Sequence, residues 1–167
     1  MSEMGRTEYI GSAARVGIPT ELLMPVLCDL LAEGKDVPLT VTGNSMQPFL
    51  MHGRDSVVVS PVTAAVRRGD VVLLRDASGR YLLHRVLRLR GEALITCGDG
   101  NMRPDRSETP GMIVGVVTHA RRKGRMIGPD SFVWKFYARV WGLHPVLRRP
   151  LLWAARIFSP DSMRDAV

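Results

Sequence analysis

Thr42-Gly43-Asn44-Ser45-Met46-Gln47-Pro48-Phe49-Leu50 follows an extended apolar run, Val37 to Thr42, and closes in a proline-anchored apolar turn. Glycine reaches backbone angles that other residues avoid, so Gly43 lets the chain turn sharply just ahead of Ser45. Pro48 fixes its own φ and disfavours helix at Gln47. A serine at a tight corner off a rigid strand meets the needs of nucleophilic catalysis, which are an accessible hydroxyl and nearby backbone N–H groups to hold an oxyanion. Gly, Asn and Ser are also ordinary turn formers. This stretch alone does not separate a turn from a nucleophile; residues further along do.

Around it the pattern is β. Candidate strands are Val37 to Thr42, Ser56 to Ser60, Asp70 to Arg75, Tyr81 to Leu89, Ala93 to Cys97 and Met112 to His119. Turn signals punctuate them at 52–55, 68–70, 77–80, 90–92 and 98–101. Short strands with close turns predict a mainly β fold, a compact antiparallel domain over residues 37–128. Upstream, Leu22, Leu23, Val26, Leu27, Leu30 and Leu31 recur at helical spacing within 20–36. Pro25 is tolerated at a first helical position, so this helix is expected to start near Met24 and to stop at Gly34. Residues 1–19 and 159–167 are expected to be poorly ordered.

After Gly128 the helical period returns, and residues 129–158 read as a basic amphipathic tail. Phe132, Val133, Phe136, Tyr137, Val140 and Trp141 make an apolar stripe, with Lys135 and Arg139 off it, and Leu147 to Phe158 add a second apolar stretch. From Arg121 to Phe158 nine basic residues face one acid, Asp130, a net +8 in a chain whose formal net charge is +7. The remainder of the chain is therefore near neutral. A basic helix bearing tryptophan suits an anionic membrane surface; alternatively the stripe packs on the β domain and the basic residues face solvent. Nucleic acid is the weaker partner class, since no groove-reading motif accompanies the charge.

Length and composition fit one domain with a tail: 167 residues, 46% hydrophobic and 23% charged, enough to bury a core. Cys28 and Cys97 are too few for a disulfide framework. The four histidines lack zinc-site spacing, and no cofactor is expected. The first residues carry no basic start and apolar core of a secretory signal, and no run approaches the roughly 18 apolar residues of a membrane span. The expected location is the cytoplasm, with peripheral attachment to the inner face of the plasma membrane through residues 121–158.

His84 falls within a strand, with Leu82 and Val86 as its face-mates at period two. Flanking aliphatic residues suit a buried, hydrogen-bonded core histidine. An imidazole, which titrates near neutrality, is equally the natural general base for a serine. Gly98-Asp99-Gly100-Asn101 and Asp105 put two carboxylates on the loop after the next strand, and either could orient the imidazole. Asp99 also reads as a hairpin-turn residue and Asp105 as a solvated loop acid.

Ser45-Met46-Gln47-Pro48, Gly69-Asp70-Val71-Val72, His84-Arg85-Val86 and Gly98-Asp99-Gly100-Asn101 occur in the order found in type I signal peptidases. The likeness spans about Val37 to Gly115 and is greatest to the branch in which histidine replaces the lysine base, and within it to small anchorless bacterial members. Gly43-Asn44 ahead of the serine is more like the Gly-x-Ser-Met of LexA-type self-cleaving repressors. No membrane anchor precedes Ser45, and the second asparagine of the acid box is changed. The resemblance implies a serine endopeptidase with Ser45 as nucleophile, His84 as general base and Asp105, or in second place Asp99, as the acid. Gly43, Asn44, Met46 and Pro48 would contact an extended peptide or leader segment, with small residues next to the cut. Two other readings stand beside it: a catalytically silent peptide-binding module of the same fold, and a peripheral membrane protein acting through the basic tail.

Overall fold

The structure, a computed structural model, describes residues 19–91, 93–105 and 112–140. Its centre is one antiparallel sheet: β1 (Val37–Thr40), β2 (Ser56–Ser60), β3 (Val71–Arg75), β4 (Tyr81–Arg90), β5 (Ala93–Cys97), β6 (Ile113–Arg122) and β7 (Arg125–Ile127). The spatial order is β1-β2-β6-β3-β4-β5, with β7 paired to β6. Along one edge of β6, β3 takes the first half (Leu74↔Ile113, Val72↔Val116) and β7 the last turn (Ala120↔Ile127). The mainly β class and the six expected strands are observed, with small shifts at their ends.

The sheet is apolar on both faces where it matters. Val71-Val72-Leu73-Leu74 is a continuous aliphatic run, and all four side chains are buried. Successive strand residues point to opposite faces. Val71 and Leu73 therefore join one core with Val57, Val59 and Val117, while Val72 and Leu74 join a second with Val86 and Leu94. The first core is closed by helix α1 (Thr20–Ala32), by Val41, Met46, Phe49 and Leu50 of the serine loop, and by Trp134 of helix α2 (Phe132–Val140).

Three expectations are corrected. Helix α1 begins at Thr20, four residues before the expected start, and Pro25 lies inside it. Pro25 is exposed, so its ring meets water and only one ladder bond is forgone. The buried stripe of α1 is Met24, Leu27 and Leu31, whereas Leu22 and Val26 stay 67% and 57% exposed. Gly34 ends the helix as expected: at φ +82° it donates to Leu31 O while Lys35 donates to Leu30 O.

The second correction concerns charge. Arg121, Arg122, Lys123 and Arg125, counted in the basic segment 121–158, belong to the β6–β7 hairpin. Lys123 and Gly124 both have positive φ, 49° and 77°, as a two-residue hairpin turn requires. Third, α2 buries only part of the stripe read from its period: Val133 and Tyr137 pack against the core. Trp134 is 3% exposed, and Phe132 and Phe136 are 83% and 44% exposed. Ser131 Oγ accepts from the Trp134 N–H, capping the helix start. The expected second apolar stretch, 147–158, and both expected flexible ends lie outside the described residues, apart from Pro19.

Asp55 ties down both ends of the loop that carries Ser45. Its backbone oxygen accepts from Val41 N–H, and its wholly buried carboxylate accepts from Met51 N–H, Lys123 N–H and the Arg54 guanidinium. Burial alone would raise its pKa, but these donors outweigh burial and hold the carboxyl below its ordinary value. A depressed folded-state pKa gives stability that is present above the ordinary carboxylate value of about 3.9 and lost as pH falls through the folded value. Asp55→Asn is therefore expected to lower unfolding free energy at pH 7 by on the order of 2–3 kcal/mol. The gap between variant and wild type in urea midpoints should narrow as pH is taken below about 4; a pH-independent gap would contradict the assignment.

Candidate active site

The site is assembled by register. Val72 pairs with His84 and Val71 with Arg85, while Arg85 pairs with Cys97 and Val86 with Thr96. Directly paired residues share a face, so His84 lies on the side of Val72, Val86 and Thr96, and Arg85 on the opposite side. Two neighbours in the sequence thus serve two different faces.

On the first face His84 is 3% exposed and its Nδ1 lies 2.6 Å from Asp105 Oδ2. Thr96 Oγ1 donates to the same oxygen at 2.6 Å, and Asp105 N–H donates to Thr96 O at 2.9 Å. Asp105 is therefore fastened to β5 by backbone and side chain before it meets the imidazole. The other ring nitrogen, Nε2, is buried and has no hydrogen-bond partner among the described residues. A carboxylate on Nδ1 selects the tautomer whose Nε2 is the acceptor.

Carried one step on, the β4–β5 register sets Gly98 opposite His84. A Cβ on Gly98 would lie 2.9 Å from Ser45 Cβ and would collide with Ser45 O. Ser45 thus sits against the backbone at Gly98, where a side chain would stand, and among the described residues no hydrogen bond joins it to His84, whose Nε2 has no partner. The loop is pinned there by Gly100 N–H donating to Ser45 O at 2.7 Å, and a Cβ on Gly100 would meet Asn44 O at 2.9 Å. The two glycines of the 98–101 box are thus explained by approach to the serine corner. Gly98→Ala is expected to displace that corner, lowering any Ser45 reactivity by about 100-fold and stability by about 1–3 kcal/mol. Active-site titration and a urea melt check both.

On the second face Arg85 is fully buried and its guanidinium is shared among three segments. Its Nε and Nη2 donate to Asp99 Oδ1 and Oδ2 at 2.8 and 2.6 Å, and Nη1 donates to Gly69 O at 2.8 Å. The same cation lies 4.7 Å from the centroid of Phe49. Asp99 is thus committed to Arg85 on the face opposite His84, and Asp105 is the carboxylate at the imidazole.

A model of the family described as Peptidase S24-like matches residues 9–118 of the 167. The chain belongs to that family. Comparison with curated proteins and with solved structures returned no significant match. Membership in the Peptidase S24-like family fits the antiparallel β domain with its N-terminal and C-terminal helices, and it brings a serine-peptidase type of chemistry into view. The matched segment ends within β6, so the β6–β7 hairpin and α2 follow it.

The four expected peptide-contacting positions divide. Gly43 and Asn44 are exposed beside Ser45, with Gly43 N–H donating to His52 Nδ1 and Asn44 Oδ1 accepting from Gln47 Nε2. Met46 is 2% exposed and its side chain packs in the core, behind the loop. Pro48 is partly buried, follows a cis bond from Gln47 and offers its carbonyl to Arg122. Sequence reasoning gave no role to Arg85, Thr96 or Trp134. The signal for Arg85 was present, since an arginine flanked by Leu83, Val86 and Leu87 needs an acid. No group of three or more His, Cys, Asp or Glu side chains that could hold a metal is found among the described residues.

Proposed function

We propose that this Peptidase S24-like chain is a serine endopeptidase in which Ser45 attacks a peptide carbonyl and His84 is the general base. The observation that carries this reading is the imidazole, with Nδ1 held by Asp105 and Nε2 buried and unpartnered; the reading requires the Ser45 hydroxyl, which is not bonded to Nε2 in this structure, to reach it when substrate binds. The Ser45 hydroxyl proton passes to Nε2 as the Oγ–C bond forms, while Asp105 stabilises the imidazolium. The Ser45 N–H serves the oxyanion. Nε2–H then protonates the leaving amine, and water, deprotonated by the same nitrogen, releases the acyl group. The substrate is an extended peptide or leader segment added along the sheet edge, with small residues beside the cut.

Wild type and Ser45→Ala are compared on a diverse peptide mixture read by mass spectrometry, alongside labelling by a fluorophosphonate probe. New peptide termini and a labelled Ser45, both lost in Ser45→Ala, are expected. Neither fragments nor label would reject the enzyme and leave the peptide-binding module of the same fold.

A second reading, attachment to an anionic membrane surface through the basic segment, is favoured by the outer side of α2. Phe132 and Phe136 stack there at 6.3 Å, both exposed, with Lys135 and Arg139 exposed on the same helix. Among the described residues no helix is long and apolar enough to cross a membrane. Sedimentation with phosphatidylglycerol-containing vesicles is expected to retain wild type and to lose Phe132→Ser/Phe136→Ser by about tenfold; equal binding of the two would reject this reading.

A further inference from the structure

We infer that α2, which lies beyond the family match, is part of the machinery that sets the nucleophile, with Trp134 and Tyr137 acting as positioning residues for Ser45 through Phe49. The inference rests on the reading of Ser45 as a nucleophile. Phe49 is four residues after Ser45 and is wholly buried. Trp134 meets its ring edge-on at 5.4 Å and 85°, and Tyr137 meets it at 4.9 Å and 49°. Arg85 covers Phe49 at 4.7 Å. The ring is therefore held between a β4 cation and two aromatic side chains of α2.

Two further contacts make the grip directional. Arg122 of β6 lies 5.7 Å from the Tyr137 ring centroid and donates through Nη2 to Pro48 O at 3.2 Å, so helix, hairpin and serine loop share one cation. A Cβ on Gly69 would stand 3.0 Å from Ala138 Cβ, which puts α2 directly on the residue whose carbonyl Arg85 uses. The helix thus bears on the serine loop at Phe49 and on the Arg85–Asp99 support at Gly69. Asp99 belongs to the 98–101 segment whose glycines receive Ser45. A small shift of a nucleophile costs about 100-fold in rate, so a clamp on the loop acts on rate without touching substrate.

The test uses the full chain with Trp134→Ala, the conservative Trp134→Phe, and Leu22→Ala/Val26→Ala on the exposed side of α1. Fluorophosphonate labelling of Ser45 gives a rate constant and a final labelled fraction. Trp134→Ala is expected to lower the rate constant about 10- to 100-fold with the final fraction retained. Trp134→Phe should recover to within about threefold, and the Leu22/Val26 variant should match wild type. Loss of folded protein would lower the fraction instead, and Trp134→Leu replaces Trp134→Ala if the latter does not fold. Amide exchange is read in parallel and needs no chemistry: the Leu50 and Gly100 amides, bonded to Met46 O and Ser45 O, should lose protection while those of β2 and β6 keep it. Unchanged labelling and unchanged exchange in Trp134→Ala would overturn the clamp. A wild type that does not label would instead overturn Ser45 as nucleophile, and the exchange result would still decide whether α2 orders the loop.

Discussion

Asp105→Asn is expected to lower the rate of acylation at Ser45 by about 10⁴-fold, with little change in urea midpoint. The expected loss is that of a Ser-His-Asp arrangement forced into the wrong tautomer. Asp105 Oδ2 takes hydrogen bonds from Thr96 Oγ1 and from His84 Nδ1, each at 2.6 Å. Both bonds end on this one oxygen, so an amide sets either its NH₂ or its oxygen at that position. With the NH₂ there, the Thr96 hydroxyl rotates to accept, and the ring proton moves to Nε2. That nitrogen then has no lone pair to receive the serine proton. With the amide oxygen there, both bonds are kept and the loss is small, so the size of the loss reads the orientation. Thr96→Val alone should cost about tenfold, because it removes one of the two fastenings of Asp105 and leaves the backbone bond. Rates of fluorophosphonate labelling read all three variants. A large loss with Asp99→Asn beside normal labelling of Asp105→Asn would reverse the assignment of the acid.

Much of this site was legible because motif order and strand period could be read directly. The serine corner, the histidine strand and the 98–101 box each stand where the alternation of apolar and polar residues put them. What one chain could not resolve was which carboxylate faces the imidazole, since Asp99 and Asp105 follow the same strand. The pairing of Arg85 with Cys97 decides it, and pairing register is set by tertiary packing. Of the histidine's two readings the buried, hydrogen-bonded one is observed: His84 lies beside Val72 and Val86 and bonds Asp105, and its role as a base stays with the proposed function. Period failed for α2 for a related reason. The i, i+4 pairs Phe132/Phe136 and Val133/Tyr137 read alike in sequence, but only the second packs inward, beside Trp134, and a nine-residue helix has few turns over which the pattern could choose between them. In the β6–β7 hairpin, charge hid structure. Four of the basic residues counted in 121–158 lie on this hairpin, where Lys123-Gly124 is the turn.

The largest effect on stability is expected at Arg85. Arg85→Met takes the cation and its two hydrogen bonds from the Asp99 carboxylate in a site where both side chains are wholly buried, and it also removes the donor to Gly69 O. Breaking one partner of a buried pair costs about 3–5 kcal/mol, because desolvation is then uncompensated. For a chain of this size that corresponds to a fall in Tm of roughly 10 °C or more. Asp99→Asn should cost less, since the amide oxygen still accepts one of the two bonds from Arg85. The informative variant is the double one, Arg85→Met/Asp99→Leu. If the pair serves stability alone, an apolar replacement of similar volume recovers most of the lost free energy, and Ser45 labelling returns with it. If the pair is kept for geometry, stability returns but labelling does not. We expect the second result. The guanidinium links Gly69, Asp99 and the face of Phe49 through directed contacts, and a methionine can fill that volume without fixing those three segments relative to one another. Recovery of both properties together would mean that shape alone, without the charge-assisted bonds, is sufficient to hold the serine corner against Gly98.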